Sequence, residues 1–198
     1  MCWMNPLTER FPTEAKIQGR RYALRPDFRT CVRIVLACEA PDLTWWEKQA
    51  VILRLLYPEI PPDHGAALRC AVRFLDGGEA PRHQVDGEEP YRLYSFRKDG
   101  MLIYSAFYQQ YGIDLNRDAL HWWAFLALFN DLDPECRFYR ILRLRQGYLD
   151  GTLTKEEMQH YRDMGEAATV PEQPVDRAEQ QAIDRFLQQL GQNQIEEG

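Results

Sequence analysis

Residues 120–132 read LHWWAFLALFNDL. Trp122, Trp123, Phe125, Leu126, Leu128 and Phe129 fill the interval between Leu120 and Leu132, with Ala124, Ala127, Asn130 and Asp131 as the main interruptions. A helix that is apolar around nearly its whole circumference belongs in an interior. The stretch therefore predicts a buried helix from about Ala119 to Asp131, and core packing rather than a ligand-binding aromatic box. The preceding residues 101–115, MLIYSAFYQQYGIDL, lie largely in a second helix, from Phe96 to Tyr111 and stopped by Gly112. Its expected contacts with the aromatic helix run through Ile103, Tyr104, Phe107 and Tyr108.

Moving outward, the helical period continues on both sides. Downstream it predicts helices over Pro134–Arg145 and Thr154–Met164, the latter opened by a capping box of Thr154 and Glu157. Upstream, Asp27 caps a helix carrying Val32, Val35 and Leu36, and Thr44 with Glu47 caps a second that reaches Leu56. The three prolines of YPEIPPDHG (57–65) stop that helix. A third runs from Ala66 to Leu75 and ends at Gly77 and Gly78, since glycine accepts the left-handed conformation that helix ends favour. Before Pro26 the period shortens. Ile17, Tyr22 and Leu24 alternate around Gly19, which predicts a small β-hairpin within residues 12–25. The segment DGGEAPRHQVDGEEPYR (76–92) is rich in Gly, Pro and charge and reads as a mobile loop that spells no chemistry.

The fold class that results is mainly α: a helical bundle-like single domain with a small N-terminal hairpin and an appended C-terminal helix. The predicted organisation is a helical domain over residues 1–165, a linker over 166–175 that contains TVPEQPV, and an amphipathic helix over 176–191. Asp176 caps that last helix, and Ile183, Phe186, Leu187 and Leu190 form a narrow apolar stripe along it. Such a stripe suits contact with a partner or self-association, or folding back onto the chain's own body.

Charge is unevenly placed. The 198 residues carry a net charge of −6, and beyond Gly165 the seven acidic residues from Glu166 to Glu197 face only Arg177 and Arg185. The remaining body is nearly neutral and does not advertise nucleic-acid binding. No apolar run approaches the roughly 18 to 20 residues of a membrane span, and MCWMNPLTER at the start has no basic-then-apolar leader pattern. A soluble cytoplasmic protein is the expectation.

The motifs of catalysis are missing. The five cysteines are irregularly spaced, form no CxxC pair and read as reduced thiols, with Cys31 and Cys38 as small core residues. His64, His83, His121 and His160 give no two-histidine helical spacing for a metal. Asp150, Gly151 and Glu157 imitate the end of a calcium loop, yet Gln146 and Tyr148 stand where earlier oxygen ligands are needed. Neither Ser95 nor Ser105 sits in a nucleophile elbow, and no phosphate- or dinucleotide-binding glycine pattern occurs. The expectation is no catalytic residue, no cofactor and no metal. The stretch RFYRILRLR (137–145) puts Arg137 and Arg140, with Arg143 or Arg145, on one side of a helix whose other side carries Phe138, Ile141 and Leu142. A charged outer face is the common meaning, with an acidic protein partner or nucleic acid as sharper alternatives.

Several separated motifs occur together: PDFRT (26–30), LYPEIP (56–61), YSF (94–96), YSAFYQQYGIDL (104–115), LHWWAFLALFNDL and MQHYRDM (158–164). In this order they resemble the phage gp-fifteen protein family, encoded in tail-gene clusters of phages and prophages of Gram-positive bacteria. The resemblance runs from Thr8 to about Met164. It implies a non-enzymatic tail assembly chaperone that keeps the tape-measure protein soluble, helps to recruit tail-tube protein and allows a homo-oligomer. Such a protein acts in the host cytoplasm during assembly and is absent from the mature virion, with neither nucleic acid nor membrane as a partner. The alternatives are a structural or adaptor protein retained in the virion and, further off, a small nucleic-acid-binding or metal-binding protein. The resemblance carries no binding residues over. The candidate partner contacts, Arg137, Arg140, Ile183, Phe186, Leu187 and Leu190, rest on exposure and pattern.

Overall fold

A computed structural model describes residues 5–78 and 93–171. The expected C-terminal helix over 176–191, with Ile183, Phe186, Leu187 and Leu190, lies outside the described residues, as does most of the loop read at 76–92. Among the described residues a two-stranded antiparallel hairpin precedes seven α-helices, the mainly α architecture that the periodicity predicts. None of these helices is long and apolar enough to cross a membrane. The described residues divide into two compact units: 5–78 with 120–126, and 93–119 with 127–171.

In the first unit, β1 (Glu14–Ile17) pairs with β2 (Arg20–Ala23), so that Ala15 faces Tyr22 and Ile17 faces Arg20. The two-residue turn takes φ of 49° at Gln18 and 81° at Gly19. A left-handed φ suits glycine but is rare for a residue with a side chain. At Gln18 the side-chain amide donates to Asp63 Oδ2 at 2.6 Å, which ties the turn to the start of α3.

Three helices follow: α1 (Phe28–Glu39), α2 (Trp45–Leu56) and α3 (His64–Leu75). Asp27 caps α1 by accepting from the Arg29 backbone N–H at 2.9 Å. The buried stripe of α1 is Phe28, Cys31 and Ile34; the expected Val32, Val35 and Leu36 are half-buried on its flanks. Cys31 is the core residue that its small apolar side chain predicts, while Cys38 is half-buried; the buried stripe lies about a quarter of a turn from the Val32–Val35–Leu36 face. At α2 the predicted capping box is present, with Thr44 and Glu47 each bonding the other's backbone N–H. The carbonyls at its other end are satisfied by one side chain: Arg25 donates to Arg54, Leu55 and Tyr57 at 2.8, 3.0 and 3.2 Å.

Helix α3 starts two residues before the predicted Ala66, because Asp63 is its cap, and closes in a Schellman turn. Gly78 N–H bonds the Arg73 carbonyl and Gly77 N–H the Phe74 carbonyl, with φ of 73° and 83° at the two glycines. At Gly78 a Cβ would lie 2.7 Å from the Trp123 ring, so glycine is required there twice over.

Helix α5 (Trp122–Asn130) is the aromatic stretch, and the division between units falls within it, after Leu126. In the first unit Trp122 and Phe125 are buried and stacked, and Phe28 of α1 stacks on Phe125 at 5.0 Å. The indole N–H groups of Trp122 and Trp123 donate to the Leu75 and Phe74 carbonyls at 2.8 and 2.7 Å. Helix ends leave their last carbonyls without intrahelical partners, and buried tryptophan seeks an acceptor for its N–H. Trp122 supplies the donor that the Leu75 carbonyl lacks, and Trp123 adds a second donor to a Phe74 carbonyl that already accepts from Gly77. Trp122 is core, as the all-round apolar pattern predicts, Trp123 is half-buried, and both also cap the end of α3.

The second unit contains α4 (Phe96–Tyr111), the end of α5, α6 (Arg137–Leu149), α7 (Lys155–Asp163) and a 3-10 turn at Gly165–Ala167. Phe96 and Tyr94 pack on Phe129, and Tyr111 donates to the Leu128 carbonyl at 2.9 Å. Gly112 ends α4 with φ of 68°. The Thr154–Glu157 capping box opens α7, so the calcium-like segment is a helix start. Residues 166–171, read as the beginning of a linker, carry buried positions at Ala168 and Pro171.

Candidate protein-binding surface

The surface grows from the two-sidedness of α6. Phe138, Ile141 and Arg145 form its buried side, and Arg137, Arg140, Arg143 and Gln146 recur every three residues on its exposed side. Arg143 is anchored, donating to the Pro134 carbonyl at 2.9 Å and to Glu135 Oε1 at 3.1 Å. Arg137 and Arg140 form no salt bridge among the described residues. An exposed, unpaired guanidinium keeps its donors ready for a carboxylate that approaches from outside.

Arg145 is where the structure corrects the sequence reading. Named there as one option for the outer stripe, it is instead fully buried beside Asp99 of α4, at 0% and 1% side-chain exposure. The pair is bidentate, with both N···O distances 2.8 Å. The remaining donors reach the carbonyls of Leu93 at 2.7 Å, Ala167 at 2.9 Å and Ala168 at 3.3 Å. Asp99 Oδ2 also accepts the Ser95 N–H at 3.0 Å. All five guanidinium donors are thus used, which a buried charge requires. The cluster joins α4, α6 and the segment after α7. A signal for it was present: Arg145 lies seven residues after Phe138 and four after Ile141, on the apolar stripe.

A second exposed face, which the sequence reading missed, lies on α4. Met101 is 77% and Tyr108 56% exposed, and the Tyr104 ring stacks on Tyr108 at 6.3 Å. Tyr104 and Tyr108 were expected to pack against the aromatic helix. Instead Ile103 and Phe107 take the buried side, and Tyr104 O–H donates to Asp114 Oδ1 at 3.3 Å. The spacing 101, 104, 108 is the signal that separates this outer stripe from the inner one.

Several of the described groups that could do chemistry are otherwise engaged. Burial, with Asp27 nearby, pushes the Cys31 thiol up to about 12, and burial also raises Cys38 and Cys70. A thiol reacts as its thiolate, so these three are poor nucleophiles at neutral pH. Among the described residues no three His, Cys, Asp or Glu side chains are grouped to hold a metal. Both ring nitrogens of His121 are hydrogen-bonded to backbone. A cleft of about 190 Å³ lined by Ile17, Gln18, Tyr22 and Pro62 is smaller than the roughly 300–1,000 Å³ of small-molecule sites.

Set against known proteins, residues 7–169 match the family described as Bacteriophage Gp15 protein. No curated protein and no solved structure matches the chain.

Proposed function

We propose, from the premise that this chain belongs to the Bacteriophage Gp15 protein family, that it is a non-catalytic tail assembly chaperone whose client is the tape-measure protein. At the coarser level, the family is one of phage structural or morphogenesis proteins. The finer reading is supported by the outer face of α6. Arg137 and Arg140 stand exposed and form no salt bridge among the described residues, on a helix whose other side is locked into its unit. Holding a long amphipathic helical client calls for apolar grooves and adaptable surface rather than a reactive centre, and exposed guanidiniums add directional contacts to acidic side chains on such a client. The tail-tube protein is a further partner in this reading, and the protein acts in the host cytoplasm before the particle is complete.

Co-expression with the tape-measure protein of the same gene cluster tests the proposal. The client is expected to move from the insoluble to the soluble fraction and to co-purify with this chain. Unchanged client solubility sinks the chaperone reading. Stoichiometric recovery of the chain from purified virions, measured by mass spectrometry, replaces it with a structural tail protein.

A further inference from the structure

His121 precedes the first residue of α5, and its ring is built into two contacts at once. Nδ1 accepts the Trp123 backbone N–H at 3.0 Å, the bond by which an N-cap side chain satisfies a free amide of the first helical turn. Nε2 donates to the Pro12 carbonyl at 3.0 Å. The ring stacks on Phe11 at 5.0 Å and 22° and meets the edges of Phe74 and Trp123 at 5.8 and 6.3 Å. One nitrogen must accept and the other donate, so only the neutral ring with its proton on Nε2 fits.

We infer that His121 is a pH-sensitive cap: protonation at Nδ1 disconnects it from Trp123 and releases residues 5–13 from the start of α5. The imidazolium would point a second N–H at the Trp123 N–H, and it would place positive charge at a helix N-terminus, where the dipole opposes it. To relieve both, the ring must leave its slot, which takes away the hydrogen bond to Pro12 and the stack on Phe11 and leaves Phe11 its edge contact with Trp123 at 6.2 Å. Leu7 is 91% exposed and Asn5 to Arg10 lie on the surface, so the segment upstream of Phe11 has little else to retain it.

The surrounding charges do not compensate the imidazolium. From the α1 side, Asp27 pairs with His121 through backbone only, and its carboxylate is taken by Arg29, through backbone N–H and guanidinium at 2.9 and 3.2 Å. From α3 the nearby charged residues are Arg73 and Asp76, and from the N-terminal segment Glu9 and Arg10, all exposed. From α5 residues 122–126 contribute none. Burial holds the His121 pKa below its ordinary 6.5, with the Pro12 carbonyl pulling the other way. A pKa depressed in the folded state means the contribution is complete above 6.5 and fades as pH falls from there towards the folded value.

The test is an NMR titration of the full-length protein from pH 8 to 5, following the His121 ring nitrogens and the backbone amides of residues 5–13 and Trp123. Those amides are expected to move with the His121 midpoint, which lies below 6.5, and residues 5–13 are expected to gain fast motion at the acid end. His121→Asn keeps a cap acceptor that cannot titrate, so its residues 5–13 should behave alike at both pH values. His121→Ala should leave them mobile throughout. Residues 5–13 that stay ordered in the native protein once the His121 ring nitrogens have titrated overturn the inference, as does a pH response in His121→Asn equal to that of the native chain.

Discussion

At the scale of single residues, Arg145 and Asp99 carry the largest consequence. A buried ion pair is weak grounds for stability in itself, since both charges lose their hydration. Breaking one is another matter. Arg145→Met strands the Asp99 carboxylate and leaves the Leu93, Ala167 and Ala168 carbonyls without their donor. A loss of about 3–5 kcal/mol is expected in urea denaturation, and pairing the change with Asp99→Leu should recover part of it. A single-variant loss below about 1 kcal/mol would show the pair to be dispensable. The residue was legible as a position but not as a role. Its phase with Phe138 and Ile141 places it on the buried face, and residue type alone argues the opposite, because arginine is so seldom fully buried. Its partner could not be read at all: Asp99 lies forty-six positions away, and no local rule links them.

At the scale of elements, what local chemistry decides was legible and what phase and distance decide was not. The hairpin, both Thr–Glu capping boxes, the Asp27 cap and the Gly77–Gly78 end each follow from a short pattern with its own geometry. The burial of α5 was equally plain from its apolar circumference. Which residues α1 and α4 turn inward was not, since both helices carry apolar residues on more than one side and tertiary contacts choose between them. The joining of α3 to α5 belongs to the same class, for it depends on two indole N–H groups meeting two carbonyls. Trp122→Phe removes the donor that the Leu75 carbonyl uses, at a site where Trp122 is 2% exposed. A loss of about 1–3 kcal/mol is expected from the unsatisfied group, beyond what the smaller ring forfeits in packing. Trp123→Phe should cost less, because the Phe74 carbonyl keeps the Gly77 N–H and Trp123 is only half-buried. Thermal unfolding of the two variants side by side checks the order, and a reversed order would mean that ring packing outweighs the hydrogen bonds.

At the scale of the whole molecule, the proposed function puts partner binding on residues that the fold does not use, and that separation makes the proposal testable. Arg145 shows what an arginine does when the fold needs it; Arg137 and Arg140 contribute to no salt bridge among the described residues. Reversing their charge should therefore leave folding within about 0.5 kcal/mol of the native value, as for surface positions in general. The near-neutral body makes the local change large relative to its surroundings, and exposed charge contacts act mainly on encounter rate and partner choice. Arg137→Glu with Arg140→Glu is accordingly expected to cut recovery of soluble tape-measure protein in co-expression at least several-fold, while the thermal midpoint stays put. Native complex formation should also slow as salt is raised, since contacts between exposed charges are screened beyond about 8–10 Å at moderate ionic strength. A folded double variant that solubilises the client as well as the native chain does, with no salt dependence in either, would move the client contact off α6 and leave the exposed Met101–Tyr108 face of α4 as the next surface to alter.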